Sequence, residues 1–331
     1  MAEIKEIKIN EMKHVRIGHS QDEINATGCT VIIPDKKAMC GLDVRGGGPA
    51  SRESQLLDPT ASNDGVNAVL LSGGSAYGLD AASGVMAYLE EEGKGVKVGK
   101  AIVPIVVQSC IFDLNCVNHQ IRPDFKMGYD ACVDSEKNNC VNGNVGAGMG
   151  ATVGKILGDK RAMKSGLGTY AIRLGRLEVG AVVVVNAIGD VFEMDSNKEL
   201  AGLLNKDLSG MISSEEEAIK LLQLKAKFVS NTTIACIITN ADLDKAKLKK
   251  VAQMASNGIA RTIRPVNTSM DGDSVYAMSV GNIKSSSDVV GTLAAEVLAK
   301  AINVAVLETE EKYGYKSAQS FLDKENKIES V

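Results

Sequence analysis

The chain has 331 residues, 44% of them hydrophobic and 24% charged, which supplies one large core or two moderate ones and rules out a disordered chain. Lys and Arg total 37 against 41 Asp and Glu, a formal net charge of -4, and no long basic run gives the field that a nucleic acid or an anionic membrane would need. The absence of tryptophan and an aromatic content of 4% leave little for base-stacking platforms.

Seven scattered cysteines (Cys29, Cys40, Cys110, Cys116, Cys132, Cys140, Cys236) include no C-x-x-C, and His14, His19 and His119 lack any metal-ligand spacing. Reduced thiols in a cytoplasmic protein without metal or cofactor are expected. Residues 1–10 contain no signal-like apolar region, and apolar stretches such as 179–185 fall far short of the ~20 residues that span a bilayer.

In chain order, residues 29–34 and 39–44 read as short strands joined through Pro34 and Asp35, followed by the loop Arg45-Gly-Gly-Gly-Pro-Ala-Ser-Arg52. Residues 67–71 form a buried strand that breaks at Ser72-Gly-Gly-Ser75. A helix follows over 77–92, with apolar positions at Leu79, Ala82, Val85, Met86 and Leu89. After an apolar run at 101–107, residues 115–142 read as loop with a short helix. The glycine-dense stretch Gly143-Asn-Val-Gly-Ala-Gly-Met-Gly-Ala-Thr152 precedes 169–174 and 178–187, which suit an antiparallel meander.

Residues 214–227 have the pattern of a charged amphipathic helix, and 232–239 are β-branched and apolar on both faces, as in a sheet covered on both sides. Leu248, Val251, Ala252, Ala255 and Ile259 mark one face of a helix. A polar loop at 264–273 leads into a strand at 275–280, 289–307 is a long Ala-rich helix, and the tail beyond Glu308 is expected to fray. Alternating elements with hairpin-like neighbours predict mixed sheets layered with helices.

Several motifs suggest chemistry and fail on inspection. Gly146-x-Gly148-x-x-Ala151 nearly fits a dinucleotide fingerprint but lacks a clear preceding strand and a downstream acid, and Gly154-Lys155 is followed by Ile156 where a P-loop needs a hydroxyl. Ser72-Gly-Gly-Ser75 does not match G-x-S-x-G. Asn231-Thr-Thr-Ile-Ala-Cys236 reads as ordinary strand entry, with one alternative. The Thr232 hydroxyl could attack the Asn231 carbonyl, shift the acyl group from nitrogen to oxygen and, after hydrolysis, leave Thr232 as a new N-terminus. Its α-amine, with an ordinary pKa near 7.7 to 8.0, would then be a built-in general base.

From about residue 15 to 306 the chain resembles the L-aminopeptidase/D-esterase and β-aminopeptidase family, the DmpA-type self-processing N-terminal-nucleophile peptidases. The likeness runs through Asp43-Val-Arg-Gly-Gly-Gly-Pro49, Leu71-Ser-Gly-Gly-Ser-Ala-Tyr-Gly-Leu-Asp80, Val103-Pro-Ile, Ile111-Phe-Asp-Leu114, Gly146-Ala-Gly-Met-Gly-Ala-Thr-Val-Gly-Lys155, Asn231-Thr-Thr-Ile234 and Asp271-Gly-Asp273. The resemblance implies an α/β (α+β) fold built as a layered αββα sandwich, and a homotetramer. It also implies a single domain over 1–331, cut into 1–231 and 232–331.

By the same resemblance Thr232 is the nucleophile freed by cleavage after Asn231, and the Asn186 side-chain amide points into the oxyanion hole. Asp271 and Asp273 fall where relatives place a pair, commonly Ser and an acid, beside the nucleophile. Thr152 stands where some relatives carry an oxyanion tyrosine, so the second donor is either Thr152 or a backbone N–H of the glycine-rich segment such as Gly150. Arg45 and Ser75 are candidates for the pocket lining. The expected activity is hydrolysis of a small peptide, amino-acid amide or ester. The alternatives are an acyltransferase of the ornithine acetyltransferase type and a noncatalytic nucleotide-binding module using 143–150.

Overall fold

A computed structural model describes residues 3–223 and 231–322. Two mixed sheets lie face to face. The first is formed by β1 (Ile4–Ile7), β4 (Met39–Val44), β8 (Leu167–Leu174), β9 (Leu177–Asn186), β10 (Thr232–Ala241) and β11 (Ser274–Ile283), in the order β1-β8-β9-β10-β11-β4. The second has the order β2-β3-β6-β7-β5, from β2 (Val15–Asp22), β3 (Thr27–Pro34), β5 (Ala50–Arg52), β6 (Ala68–Ser72) and β7 (Val106–Cys110). Neighbours are antiparallel except β10 with β11 and β6 with β7, which are parallel.

Helices α1 (Ala81–Glu91) and α2 (Phe125–Ser135) cover the outer face of the second sheet. The short α3 (Ser214–Gln223) comes next in the chain; α4 (Lys245–Thr262) and α5 (Ser287–Leu307) cover the outer face of the first sheet. The αββα layering expected from the resemblance is the observed fold. It follows from side-chain alternation in strands that have no polar face. Along β9, Val182 and Val184 enter the core between the sheets while Val183 and Val185 enter the helix-side core. Along β10, Ile234, Cys236 and Ile238 do the first, and Ala235 and Ile237 the second. Tyr276 on β11 is fully buried between the sheets, with its hydroxyl 2.8 Å from Ser109 Oγ on β7. Such a hydroxyl is tolerated there because it finds a partner.

Helix starts carry side-chain caps. Asp124 accepts from the Met127 N–H at 2.9 Å, Asp244 from Lys247 at 2.9 Å and Ser286 from Val289 at 3.2 Å; each such cap contributes about 1 kcal/mol. Helix α5, 21 residues long, meets the length and hydropathy of a membrane span, but packing takes up most of its surface: it lies on the first sheet beside α4.

Several boundaries differ from the sequence reading. The strands expected at 29–34 and 39–44 belong to different sheets, because residues 35–38 cross between layers and Ala38 bridges to Val66. The helix expected from 77 begins as a 3-10 turn, Ser75–Asp80, and becomes α-helical at Ala81, since Gly74 and Ser75 take positive φ. Pro104 lies in the gap between strand Ala101–Val103 and β7. The part of the 214–227 helix beyond 223 lies outside the described residues. Residues 309–322, expected to fray, return across the glycine-rich segment: Ser317 and Ala318 are buried, and the Lys164 N–H donates to the Lys316 carbonyl at 2.7 Å. All seven cysteines are free.

Candidate active site

The ends of β9 and β10 build the site. Asn186 and Thr232 are directly opposed in antiparallel register, so their side chains leave the sheet on the same side. The alternation of β9 and β10 makes that side the space between the sheets. Thr232 is 3% exposed and Asn186 fully buried. Asn231 precedes Thr232 in an isolated parallel bridge with Asp271, and its carbonyl accepts from the Gly272 N–H at 2.8 Å and from the Thr232 hydroxyl. The bond between Asn231 and Thr232 therefore carries a polarised carbonyl with a hydroxyl against it.

The Asp271-Gly-Asp273 turn sits close because Gly272 has no side chain. A Cβ there would lie 2.9 Å from Thr232 Oγ1. The glycine loop after Arg45 supports the turn from behind: the Arg45 N–H donates to the Asp273 carbonyl at 3.0 Å and the Gly48 N–H to the Asp271 carbonyl at 2.8 Å. Asp273 accepts from the Thr233 N–H at 2.6 Å and the Asn267 N–H at 3.0 Å, and Asp271 accepts from the Thr268 N–H at 2.6 Å. Burial pushes both carboxyls up, Asp273 to about 7, with the Asp271 charge adding to the rise at Asp273.

Asn186 is fixed on its far side. Its Oδ1 accepts from the Thr152 N–H at 3.1 Å and from Lys155 Nζ at 2.8 Å, and its Nδ2 donates to the Phe112 carbonyl at 3.0 Å, which among the described residues leaves one amide N–H uncommitted. Lys155 Nζ also donates to the Asn186 carbonyl at 3.0 Å. The lysine reaches this position because Gly154 takes φ +70 and the Gly154 and Lys155 N–H groups pair with the Gly189 and Ile188 carbonyls just past β9. Burial pulls the Lys155 amine down to about 7 against the opposing influence of Asp159 and Asp271.

Thus Thr232, Asn231, Asn186, Asp271 and Asp273 come together, with Thr152 adjoining through its backbone. The other expected residues are placed differently. The Thr152 N–H is already used by Asn186. Gly150 packs tightly, a Cβ there falling 2.1 Å from the Ala26 carbonyl and 2.7 Å from Asp113 Cβ. Arg45 turns to Asp43 at 2.8 Å and to the Gln253 carbonyl at 2.7 Å. The Ser75 N–H is bound to the Ile111 carbonyl at 2.9 Å, in the turn that Asp113 holds through the Gly74 N–H at 2.7 Å.

The sequence reading missed Lys155, met there only as a failed P-loop lysine, and the Gly272 N–H, whose role depends on tertiary placement. In the glycine-rich segment the N–H groups of Gly146, Ala147, Gly148 and Met149 are spent on Gln21, Thr30, Val145 and Gly146. Lys164, fully buried, donates to the carbonyls of Gly148, Ala151 and Ser165. The segment is a packed loop, not a phosphate cradle. A groove of about 860 Å3 against Arg173, Asn240 and Ile283 lies at the opposite end of β9 and β10, away from the cluster.

The sequence profile of peptidase family S58 matches residues 8–319. An uncharacterized aminopeptidase of Mycobacterium leprae is 39% identical over 313 residues, 87% of this chain and 84% of that protein. The β-aminopeptidase of a Burkholderia species superposes with a TM-score of 0.67 at 19% identity, covering 95% of this chain and 92% of that one. The L-aminopeptidase D-Ala-esterase/amidase of Ochrobactrum anthropi, described as a variant of the Ntn hydrolase fold, gives 0.67 at 16% identity, over 91% and 86%.

Proposed function

The chain belongs to peptidase family S58, and from that membership we propose a self-processing hydrolase that removes N-terminal residues from small peptides, amino-acid amides or esters, with Thr232 as nucleophile. The observation that carries this reading is the Asn231 carbonyl, held by the Gly272 N–H with the Thr232 hydroxyl against it.

In the first reaction Thr232 Oγ1 bonds to the Asn231 carbonyl carbon and the oxyanion rests on the Gly272 N–H. The hydroxyl proton passes to Lys155. A neutral lysine has two N–H bonds and one lone pair; the two N–H groups are directed at Asn186 Oδ1 and its carbonyl, so the lone pair is left to accept. Cleavage of the peptide C–N bond, with a proton delivered to nitrogen, leaves an ester on Thr232 Oγ1. Water hydrolyses it to the Asn231 carboxylate and the free Thr232 amine. The two fragments, of 231 and 100 residues (331 minus 231), stay interleaved, because β9 and β10 are neighbours in one sheet.

Turnover repeats the chemistry on substrate. The new α-amine takes the proton from its own hydroxyl, the acyl ester forms on Oγ1, and water resolves it. The Gly272 N–H, vacated by the Asn231 carbonyl, and the uncommitted N–H of Asn186 receive the oxyanion; losing one such donor typically costs ~3 kcal/mol of transition-state stabilisation. Asp271 and Asp273, beside the new terminus, anchor its ammonium. Intact-mass measurement of purified wild type beside Thr232→Ala tests the reading. Two polypeptides with peptidase activity are expected for the first, and one inactive polypeptide for the second. A full-length wild type hydrolysing at full rate overturns it.

A further inference from the structure

Lys155 donates two N–H groups to Asn186, and it also lines a narrow cavity of about 10 Å3, the room of a single water. Among the described residues the other walls come from 112–116, Thr152, Asp159 and Tyr315. Tyr315 arrives on the strap that returns from α5, and the strap is tied down on both flanks. Lys312 Nζ lies 3.1 Å from Glu23 Oε2, the Tyr313 hydroxyl donates to the Glu23 carbonyl at 2.5 Å, and the Lys316 carbonyl accepts from the Lys164 N–H at 2.7 Å. Gly314, at φ +81, turns the chain between these anchors, and the Tyr315 N–H closes the turn on the Lys312 carbonyl at 3.0 Å. The ring faces the cavity's own groups: burial pushes its hydroxyl up, and two other walls, Cys116 and Asp159, add to the rise.

We propose that Tyr315 is a positioning residue for self-cleavage: its ring covers the cavity at Lys155 and keeps bulk water from the amine that takes the Thr232 proton. The inference rests on the reading of Lys155 as that proton acceptor. An amine must be neutral to accept, and the groups around this one favour the ammonium form. Asp159, on the turn after the glycine-rich segment, Asp271, on the turn before β11, and Cys116 and Asp113, after β7, all draw it that way. Lys164, the other buried amine nearby, is taken up by the Gly148, Ala151 and Ser165 carbonyls. Burial opposes the acidic groups and prevails, leaving the Lys155 amine at about 7. The cover is the part of that burial which one side chain controls. With the ring removed, a space for one water becomes an opening for several, and a hydrated amine returns towards the ordinary lysine value.

Two measurements on wild type, Tyr315→Phe, Tyr315→Leu and Tyr315→Ala test this. The first follows self-cleavage of freshly refolded precursor by mass across a pH series. The second is a carbon-13 titration of protein labelled at the lysine ε-carbons, in the uncut Thr232→Ala background, with the Lys155 signal assigned by its loss in Lys155→Met. Tyr315→Ala is expected to raise both midpoints by about one unit or more, so that self-cleavage falls about fivefold at pH 7 and returns to within about twofold of wild type at pH 9. Tyr315→Phe, which keeps the ring, keeps both midpoints. Tyr315→Leu falls between and serves if the alanine variant does not fold. A Lys155 signal that titrates at the wild-type pH in folded Tyr315→Ala or Tyr315→Leu overturns the proposal. So does a Tyr315→Phe that shifts as far as Tyr315→Ala, or cleavage slowed equally at every pH, the mark of a merely structural role. A Lys155 signal that moves while the cleavage profile stays in place removes Lys155 as the proton acceptor, and Tyr315's part in self-cleavage with it.

Discussion

Lys155 and Asn186 are joined twice, Nζ donating to Oδ1 at 2.8 Å and to the carbonyl at 3.0 Å. The contact places a nearly buried lysine, 5% exposed, across the strand pair from Thr232. A buried ammonium is a poor source of stability, since desolvation offsets what its partners return. Its presence here is better explained by chemistry. Lys155→Met is therefore expected to slow self-cleavage by about a hundredfold or more, in line with the ~3 kcal/mol of a lost active-site group, while the melting temperature stays level or rises. Mass time courses beside thermal melts check this; a variant that matures at the wild-type rate removes Lys155 from the reaction.

Gly272→Ala probes the other side of the scissile carbonyl. The added methyl would lie 2.9 Å from Thr232 Oγ1, closer than nonbonded atoms settle, so the hydroxyl must move off its line to the Asn231 carbonyl. Misplacement on the ångström scale typically costs about a hundredfold in rate. The expected product is a folded, mostly uncut chain. Circular dichroism and gel analysis separate it from a misfolded one, and complete maturation would count against the assigned geometry.

Self-cleavage is expected to quicken as pH rises through 7. Lys155, pulled down to about 7 by burial, loses its proton there and gains the lone pair that accepts from Thr232. Asp273, pushed up to about 7 by burial and by Asp271, becomes the carboxylate that both the Thr233 and Asn267 N–H groups address. Both changes favour the competent form, so the rate at pH 8 should exceed that at pH 6 by about tenfold or more. Freshly refolded precursor sampled by mass at a series of pH values reads the profile. Faster cleavage in acid would contradict both assignments.

His19 gives a stability prediction apart from the chemistry. It is buried, its Nδ1 lies 3.0 Å from Thr30 Oγ1, and burial lowers its pKa from 6.5 to about 4 despite the attraction of Asp134. Between those values the unfolded chain binds a proton that the folded one refuses, so stability contributed by neutral His19 is present above 6.5 and is lost as pH falls towards 4. Relative to His19→Asn, which does not titrate, wild type should lose about 2 kcal/mol between pH 7.5 and 5. Urea unfolding at the two pH values measures the difference, and parallel curves would refute it. The Thr30 hydroxyl oxygen also accepts the Ala147 N–H at 3.1 Å, so the loss would be felt first in the glycine-rich segment.

Much of the architecture was legible in local pattern. The unbroken apolar run of β10 announced a sheet covered on both faces, and the period of α4 gave its buried side. Thr232, Asn231, Asn186, Asp271 and Asp273, which the structure brings together, were singled out through the family resemblance, because motifs keep residue identity next to position. Lys155 escaped because nothing in Gly154-Lys155-Ile156 says that a left-handed glycine will pair these residues with Ile188 and Gly189. The course of the tail beyond Glu308 escaped for a related reason: a charged segment reads as exposed until a surface is found for it to lie on.

By itself the sequence determined which segments extend, which coil and which residues are chemically equipped, because these depend on neighbours a few positions away. Tertiary structure alone decided which strand ends meet, which N–H faces the Asn231 carbonyl and which surface the tail beyond Glu308 lies on. Those outcomes rest on contacts between segments up to 290 residues apart, from Glu23 to Tyr313. The chain meets such contacts only after the two sheets have closed on their shared core.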